Sequence, residues 1–338
     1  MTRPESYKNM DYLEKNSPVI IVGGGPCGIA AGAELKKRGI ESLIIEKGSV
    51  TESIRRYPKR MKFFSTAENI EIAGIPFATS NVKANRNEAL QYYRKVAAYF
   101  KLNFSLNTEV TGINKEGEVF KVDTNKGVFT AQKVILATGY FDVARLLNIK
   151  GENLPHVSHY YDEPYRHSFQ KVVIVGGGNS GIEAALELYR HDVDVTMVMR
   201  GDSLKPTAKY WLVPDITNRI KEGKIKVIYN SSAKEIREGE IDVETPEGMK
   251  TLEADYVYLL VGYLPDEKLL RNSGLAPDGQ LMVQHNEKTY ETNLDGLYLC
   301  GTVLAGVRTE KVFIENGRDH AIAIADDMVD KYAKILVE

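Results

Sequence analysis

The sequence predicts an α/β protein made of two parallel-sheet folds of the same kind, the second inserted into the first. Three observations carry this. A β-branched apolar run, "VIIVGGG", breaks into glycines and then into helix-like "IAAGAELKKRG" and a second strand, "ESLIIEKG". The same order returns in "KVVIVGGGNSGIEAALELYRHDVDVTMVMRGD", Lys171 to Asp202. Two strand-and-turn stretches, "VILATGY" and "YVYLLVGYLPD", sit where the chain would pass from one fold to the other and back.

Each element has its own reason. "NEALQYYRKVAAYF" has the apolar spacing of a helix packed on one face. The alternating stretch that follows contains hairpin signals at Lys115-Glu-Gly117 and Asn125-Lys-Gly127, which predict a small antiparallel sheet capping the first fold. In the repeat, Ile182, Ala185, Leu186 and Leu188 make the buried face of a helix. "GLYLCGTVLAG" reads as a further buried strand ending in glycines, and "KVFIENGRDHAIAIADDMVDKYAKIL" as a closing amphipathic helix. The boundaries are 17–142 with 265–338 for the first fold and 143–264 for the inserted one.

Gly23, Gly25 and Gly28 have the G-x-G-x-x-G spacing of a dinucleotide-binding turn, around Pro26 and Cys27. The first glycine permits the turn, the second lets backbone approach a pyrophosphate, and the third lets helix and strand pack closely. Gly176, Gly178 and Gly181 repeat it, with Asn179, Ser180 and Glu183 on the helix that follows. Both folds are therefore expected to be Rossmann-like. Glu46, with Lys47 beside it, ends the second strand of the first fold, where a carboxylate accepts hydrogen bonds from an unphosphorylated ribose, as in FAD. Arg200 and Lys205 hold the corresponding region of the second fold and suit a 2′-phosphate, as in NADPH. A solvated charge at a strand end is the plainer reading of Arg200. Val110, Thr138, Gly139, Gly262, Gly301 and Thr302 complete the candidate cofactor positions.

The bulk numbers narrow the classes. With 338 residues the chain can bury two cores, and 43% hydrophobic and 27% charged residues describe a soluble globular protein. A net charge of −2 and a pI near 6.4 argue against nucleic acid or anionic membrane as partners. The first 17 residues lack the apolar core of a signal peptide and no run is long enough to span a bilayer, so a cytoplasmic protein is expected. Two cysteines, Cys27 and Cys300, are too few for a disulfide framework or a cysteine-rich metal site.

"GGGPCG", "ATGY", "GGGNSGIEAALEL" and "VGYLPD" resemble the two-dinucleotide-domain flavoprotein reductases of low-molecular-weight thioredoxin reductase architecture, over almost the whole chain. Within that group, "RYPKRMKFFSTAENIEIAGIPF", "NLPHVSHYYDEPY" and "KVFIENGR" resemble the bacillithiol disulfide reductase family. The resemblance implies an FAD-containing, NADPH-dependent enzyme that reduces the disulfide of a low-molecular-weight thiol; a homo-oligomer (dimer or tetramer) is expected. It implies a functional cysteine in the first glycine loop, here Cys27. Two departures stand out. The C-x-x-C of thioredoxin reductases is replaced by His159-Tyr160-Tyr161-Asp162, and the aspartate that follows the C-terminal glycine in such flavoproteins is replaced by Thr302 after Gly301.

From chemistry alone Cys27 has two readings. At a helix amino end the dipole and free N–H groups favour a thiolate nucleophile. Equally, cysteine is a small hydrophobe that fills a slot where alanine would serve. The resemblance favours the catalytic reading; Cys300 is assigned to packing, since nothing in the sequence specifies the alignment that a Cys27–Cys300 pair would need. The basic stretch Arg55, Arg56, Lys59, Arg60 and Lys62 reads as a solvated loop or as cations for a thiol bearing carboxylates. His156 and His159 are read as loop caps and Trp211 as packing. The competing functions are a flavin monooxygenase, a ferredoxin or flavodoxin reductase, and a non-catalytic FAD-bound sensor or interaction protein; two glycine turns with opposite ribose signals weigh against the sensor.

Overall fold

The computed structural model describes residues 15–309 and 311–335. The start of the chain, read above for a signal peptide, lies outside the described residues up to residue 14. Among the described residues two compact units form: one takes 15–56, Ser65–Val143 and the chain from Tyr263 onward, the other Tyr57–Phe64 and Ala144–Gly262.

The first unit opens with β1 (Asn16–Val22), α1 (Pro26–Lys37) and β2 (Ser42–Ile45). It continues through α2 (Arg86–Tyr99), β3 (Asn103–Ser105), β4 (Val110–Glu116), β5 (Val119–Thr124) and β6 (Gly127–Leu136). In the second unit come β7 (Val157–Ser158), β8 (Lys171–Val175), α3 (Asn179–Tyr189), β9 (Asp194–Val198), α4 (Val213–Lys221) and β10 (Ile225–Ile228). These are followed by β11 (Ser232–Arg237), β12 (Glu240–Thr245), β13 (Gly248–Glu253) and β14 (Tyr256–Leu259). The first unit closes with β15 (Leu297–Leu299) and α5 (Ile314–Ile335).

The main sheet of the first unit has the order β3-β2-β1-β6-β5-β4, with β15 also pairing β6. Val19, Ile20 and Ile21 of β1 are wholly buried, the continuous apolar pattern of a parallel strand covered on both faces. The two hairpins do not make a separate cap. β6 is ten residues long, pairing antiparallel with β5 through Gly127–Ala131 and parallel with β1 from Thr130 onward, so the hairpins extend the main sheet. Helix α2 starts at a capping box in which Asn85 accepts from the Glu88 N–H and Glu88 accepts from the Asn85 N–H. Helix α1 packs on β1 and β2 and against α5.

In the second unit a parallel sheet of order β10-β9-β8-β14-β7 carries the second glycine turn, and β11-β12-β13 form an antiparallel sheet beside it in sequence. Residues 57–64, which the sequence boundaries keep with the first fold, belong to this unit. Lys59 pairs with Glu163 at 2.7 Å, Arg60 with the Tyr165 hydroxyl, and Phe64 stacks on Trp211 with ring centroids 5.7 Å apart. The basic stretch is thereby divided: Arg55 and Arg56 are held in the first unit by Glu52 and Asp142.

Candidate functional site: two glycine turns and a buried thiol

Both turns are built by close backbone approach. Gly23 has φ +108°, and a Cβ there would lie 2.5 Å from the Ala137 carbonyl oxygen; at Gly28 it would lie 2.0 Å from that of Gly23. The second turn reproduces this: a Cβ at Gly176, φ +126°, would lie 2.3 Å from the Leu260 oxygen, and at Gly181 2.2 Å from that of Gly176. In contrast, Gly25 and Gly178 each face open space where a Cβ would meet nothing within 4 Å. Each is also the N-cap of its helix and supplies no side-chain cap to the N–H groups at the start of α1 or α3. Such helix ends bind the negative charge of a pyrophosphate. The residues present fit a dinucleotide at both turns.

The strand ends beside the turns differ in chemistry. Glu46 is 7% exposed; its Oε2 accepts from the Gly24 N–H at 2.7 Å and its Oε1 from the Gly48 N–H at 2.8 Å. Burial pushes its carboxyl pKa up, and the two backbone donors partly offset this. Gly24 packs against Glu46, with a Cβ position 3.1 Å from its Cβ; in the second turn Gly177 packs instead against the Met199 sulfur, at 2.8 Å. Backbone bonds agree, since Gly23 N–H donates to Ile45 and Gly176 N–H to Val198. Met199 therefore stands where Glu46 does, and Arg200 is one residue further, matching Lys47. No carboxylate occupies the position that would repel a 2′-phosphate. Arg200 and Lys205 are exposed, and among the described residues neither is held in an ion pair.

Most other candidates gather at these turns. Thr138 and Gly139 follow β6, and Gly139, φ +68°, has a Cβ position 3.3 Å from Thr302 Oγ1. Gly301, φ +78°, donates its N–H to Nδ1 of buried His320 at 3.2 Å. Lys47 pairs with Asp142 at 3.1 Å, and Val110 lies in the core. Gly262, φ +111°, accepts from the Arg145 N–H. Ser180 is exposed on α3, whereas Asn179 and Glu183 are engaged by the loop after β9, Glu183 by an ion pair with Lys209 at 2.7 Å. His156 bonds to the Arg237 carbonyl, a capping role, and His159 lies 3.6 Å from Glu152. Sequence reasoning missed Lys209 and His320; a lysine beside an aromatic pair was the one available signal for the former.

Cys27 sits at the meeting of three elements. A Cβ at Gly301 would come within 2.7 Å of its sulfur and one at Gly317, in the first turns of α5, within 2.8 Å. The slot is sized to a cysteine side chain and lined by glycine on two sides. Cys300 is buried beside it, its thiol donating to the Cys27 carbonyl at 3.7 Å and the Gly317 carbonyl at 3.9 Å. The helix-end argument for a lowered thiol pKa is reversed: burial pushes Cys27 up to about 12, and the charge of Glu315 adds to the effect. Cys300 is likewise raised, by burial first and then by Cys27. Glu315 is itself raised by burial and bonds to the Ser65 hydroxyl.

The family model described as pyridine nucleotide-disulphide oxidoreductase matches residues 20–301. The chain belongs to that family. Its members are FAD-containing, NAD(P)H-dependent flavoproteins, so FAD and a nicotinamide nucleotide are the cofactors of this chain. A similar relative is the bacilliredoxin reductase Bdr of Bacillus subtilis (strain 168), 36% identical over 315 residues that cover 92% of this chain and 97% of that protein. Among solved structures, bacillithiol disulfide reductase Bdr (YpdA) from Staphylococcus aureus matches with a TM-score of 0.91 and 37% identity, over 94% of this chain and 99% of that one. The enzyme of the same name from Bacillus cereus matches with a TM-score of 0.91 and 36% identity, over 94% and 99%. Family membership makes this chain a flavoprotein oxidoreductase, in line with the fold expected from the sequence.

Proposed function

We propose that this enzyme uses NADPH to reduce the disulfide of a low-molecular-weight thiol, bacillithiol disulfide, to two thiols. The net reaction takes NADPH, one proton and the disulfide to NADP+ and two thiols. Bound FAD supplies the two-electron relay between NADPH and the disulfide. The observation that carries the reading is the placement of sulfur: the chain has two cysteines, both beside the first glycine turn, and His159-Tyr160-Tyr161-Asp162 replaces the dithiol of a thioredoxin reductase. Full-length similarity to Bdr enzymes supports the substrate class.

The chain's own part is to bind and orient. The N-terminal N–H groups of α1 and α3 take the pyrophosphates, Glu46 takes the ribose of FAD, and Arg200 with Lys205 takes the 2′-phosphate of NADPH. Thr302 and the Gly301 backbone stand where the usual aspartate would hold the ribitol. Cys27 is proposed as the thiol that exchanges with the substrate disulfide. Because burial keeps it protonated at rest and the charge of Glu315 opposes its ionisation, exchange with the disulfide must form the Cys27–S bond as the substrate S–S bond breaks, with the thiol proton passing to the departing thiolate. A cytoplasmic location follows from the NADPH supply the reaction draws on, and a homo-oligomer is the proposed assembly, to be measured by light scattering.

The test separates the half-reactions. Cys27→Ala should keep FAD and its reduction by NADPH, since alanine fits the same slot, while disulfide turnover is lost. A variant that reduces bacillithiol disulfide at the original rate would remove the thiol from the reaction and leave the flavin as direct reductant. Reduced flavin reoxidised faster by ferredoxin or oxygen than by the disulfide would overturn the substrate class.

A further inference from the structure

The loop between β9 and α4 carries Arg200 and Lys205 on its exposed side, and one buried lysine on the other. The Lys209 side chain is only 8% exposed. Its Nζ donates to Glu183 Oε1 at 2.7 Å and to the Lys62 carbonyl at 2.9 Å, and it lies 5.7 Å from the centre of the Trp211 ring. The backbone is fastened too: Lys209 N–H donates to Asn179 Oδ1 at 2.7 Å, and Asn179 Nδ2 donates to the Thr207 carbonyl at 3.3 Å. Asn179 and Glu183 are four residues apart on the first turns of α3, hence on one helix face.

Withdrawing an ammonium from water carries a large desolvation cost unless its donors are paired, and a surface loop needs no buried charge merely to close. Here the cation joins three things: the helix that begins at the second glycine turn, the loop bearing the exposed cations, and the 57–64 segment. Its pairing fixes the path of residues 200–212 over the start of α3.

We propose that Lys209 is a positioning residue for NADPH selectivity, which holds Arg200 and Lys205 beside the second glycine turn by pinning their loop to Asn179 and Glu183 of α3. The inference rests on the NADPH reading above. Loss of the pin leaves the pyrophosphate site of α3 intact and lets the two exposed cations drift. Binding of the 2′-phosphorylated nucleotide should suffer more than binding of its unphosphorylated analogue.

The experiment uses FAD-loaded enzyme and measures NADP+ and NAD+ binding by calorimetry, with NADPH and NADH KM values as a second readout. Arg200→Ala should weaken NADP+ about tenfold or more and NAD+ little, as expected for a lost charge-assisted phosphate contact. Lys209→Met should weaken NADP+ roughly three- to tenfold, change NAD+ less than about twofold, and raise the KM for NADPH more than it lowers kcat. Glu183→Gln, which keeps the side-chain shape, should act in the same direction and serves if Lys209→Met does not fold. The sole tryptophan, Trp211, adds a cofactor-free signal: its emission should shift when the overlying ammonium is lost. If Arg200→Ala is selective for NADP+ while Lys209→Met and Glu183→Gln affect both nucleotides equally or neither, the inference is overturned. If Arg200→Ala itself shows no selectivity, the NADPH reading fails.

Discussion

Gly317→Ala tests the seating of the Cys27 sulfur. The new methyl would lie 2.8 Å from Cys27 Sγ and 3.2 Å from the Gly301 Cα, well inside normal contact distance. Overpacking of this kind costs about 1–3 kcal/mol. Replacing glycine by alanine within a helix contributes about 1 kcal/mol the other way, so the net loss should be about 1 kcal/mol. Cys27→Ala alone empties the slot and should cost a comparable ~1 kcal/mol. Combined, the methyl at position 317 enters the space the sulfur leaves. The two changes should then couple favourably by about 1–2 kcal/mol, incompletely because the Gly301 contact remains. Urea unfolding at a fixed excess of FAD, followed by flavin fluorescence, measures all four members of the cycle. Additive losses would refute the placement of the sulfur between the two glycines.

Two further outcomes follow from burial. Cys27 and Cys300 should resist iodoacetamide in the folded enzyme at neutral pH and react fully in urea, read by mass spectrometry; rapid native labelling of Cys27 would contradict a buried thiol pushed up to about 12. His320 accepts a hydrogen bond from Gly301 and is therefore neutral, with burial lowering its pKa to about 4. Below the ordinary histidine value the unfolded chain takes up a proton that the folded one refuses. The native state should thus lose on the order of 3 kcal/mol as pH falls from about 6.5 to about 4. His320→Gln should flatten that slope in pH-dependent denaturation, and an unchanged slope would exclude the residue; Asp319 and His285 act on the same ring in opposite directions.

Much of this was legible in the chain. Glycine spacing after a β-branched run specifies a close turn wherever it occurs, so both folds and the Gly23, Gly28, Gly176 and Gly181 contacts follow from local pattern. Register across strands does not. Arg200 reads as the counterpart of Glu46 by its charge, whereas backbone pairing shows Met199 in that place, an apolar residue that gives no signal by itself. The 57–64 segment follows the first fold in sequence, yet its side chains find partners in residues about a hundred positions later. Asn179 and Glu183 follow from proximity to the turn, but their bonds to Lys209 depend on a loop path that no periodicity encodes.

Cys27 shows why the remainder was hidden, and magnitudes decide it. A helix amino end favours an anion by about 0.3–1 kcal/mol, up to ~2 in partly buried geometry. A thiol raised from 9.0 to about 12 reflects an opposing effect on the order of 4 kcal/mol. Desolvation wins, and the sulfur is packed against Gly301 and Gly317, both far from Cys27 in the chain. Sequence shows the favourable local field but not the distant glycines that close over the sulfur. An active thiolate here would accordingly depend on an event that reopens or neutralises this slot, and pre-steady-state disulfide exchange should then be limited by that event: its rate should rise when Gly317→Ala crowds the sulfur out of its seat, and a slower exchange in that variant would refute the idea.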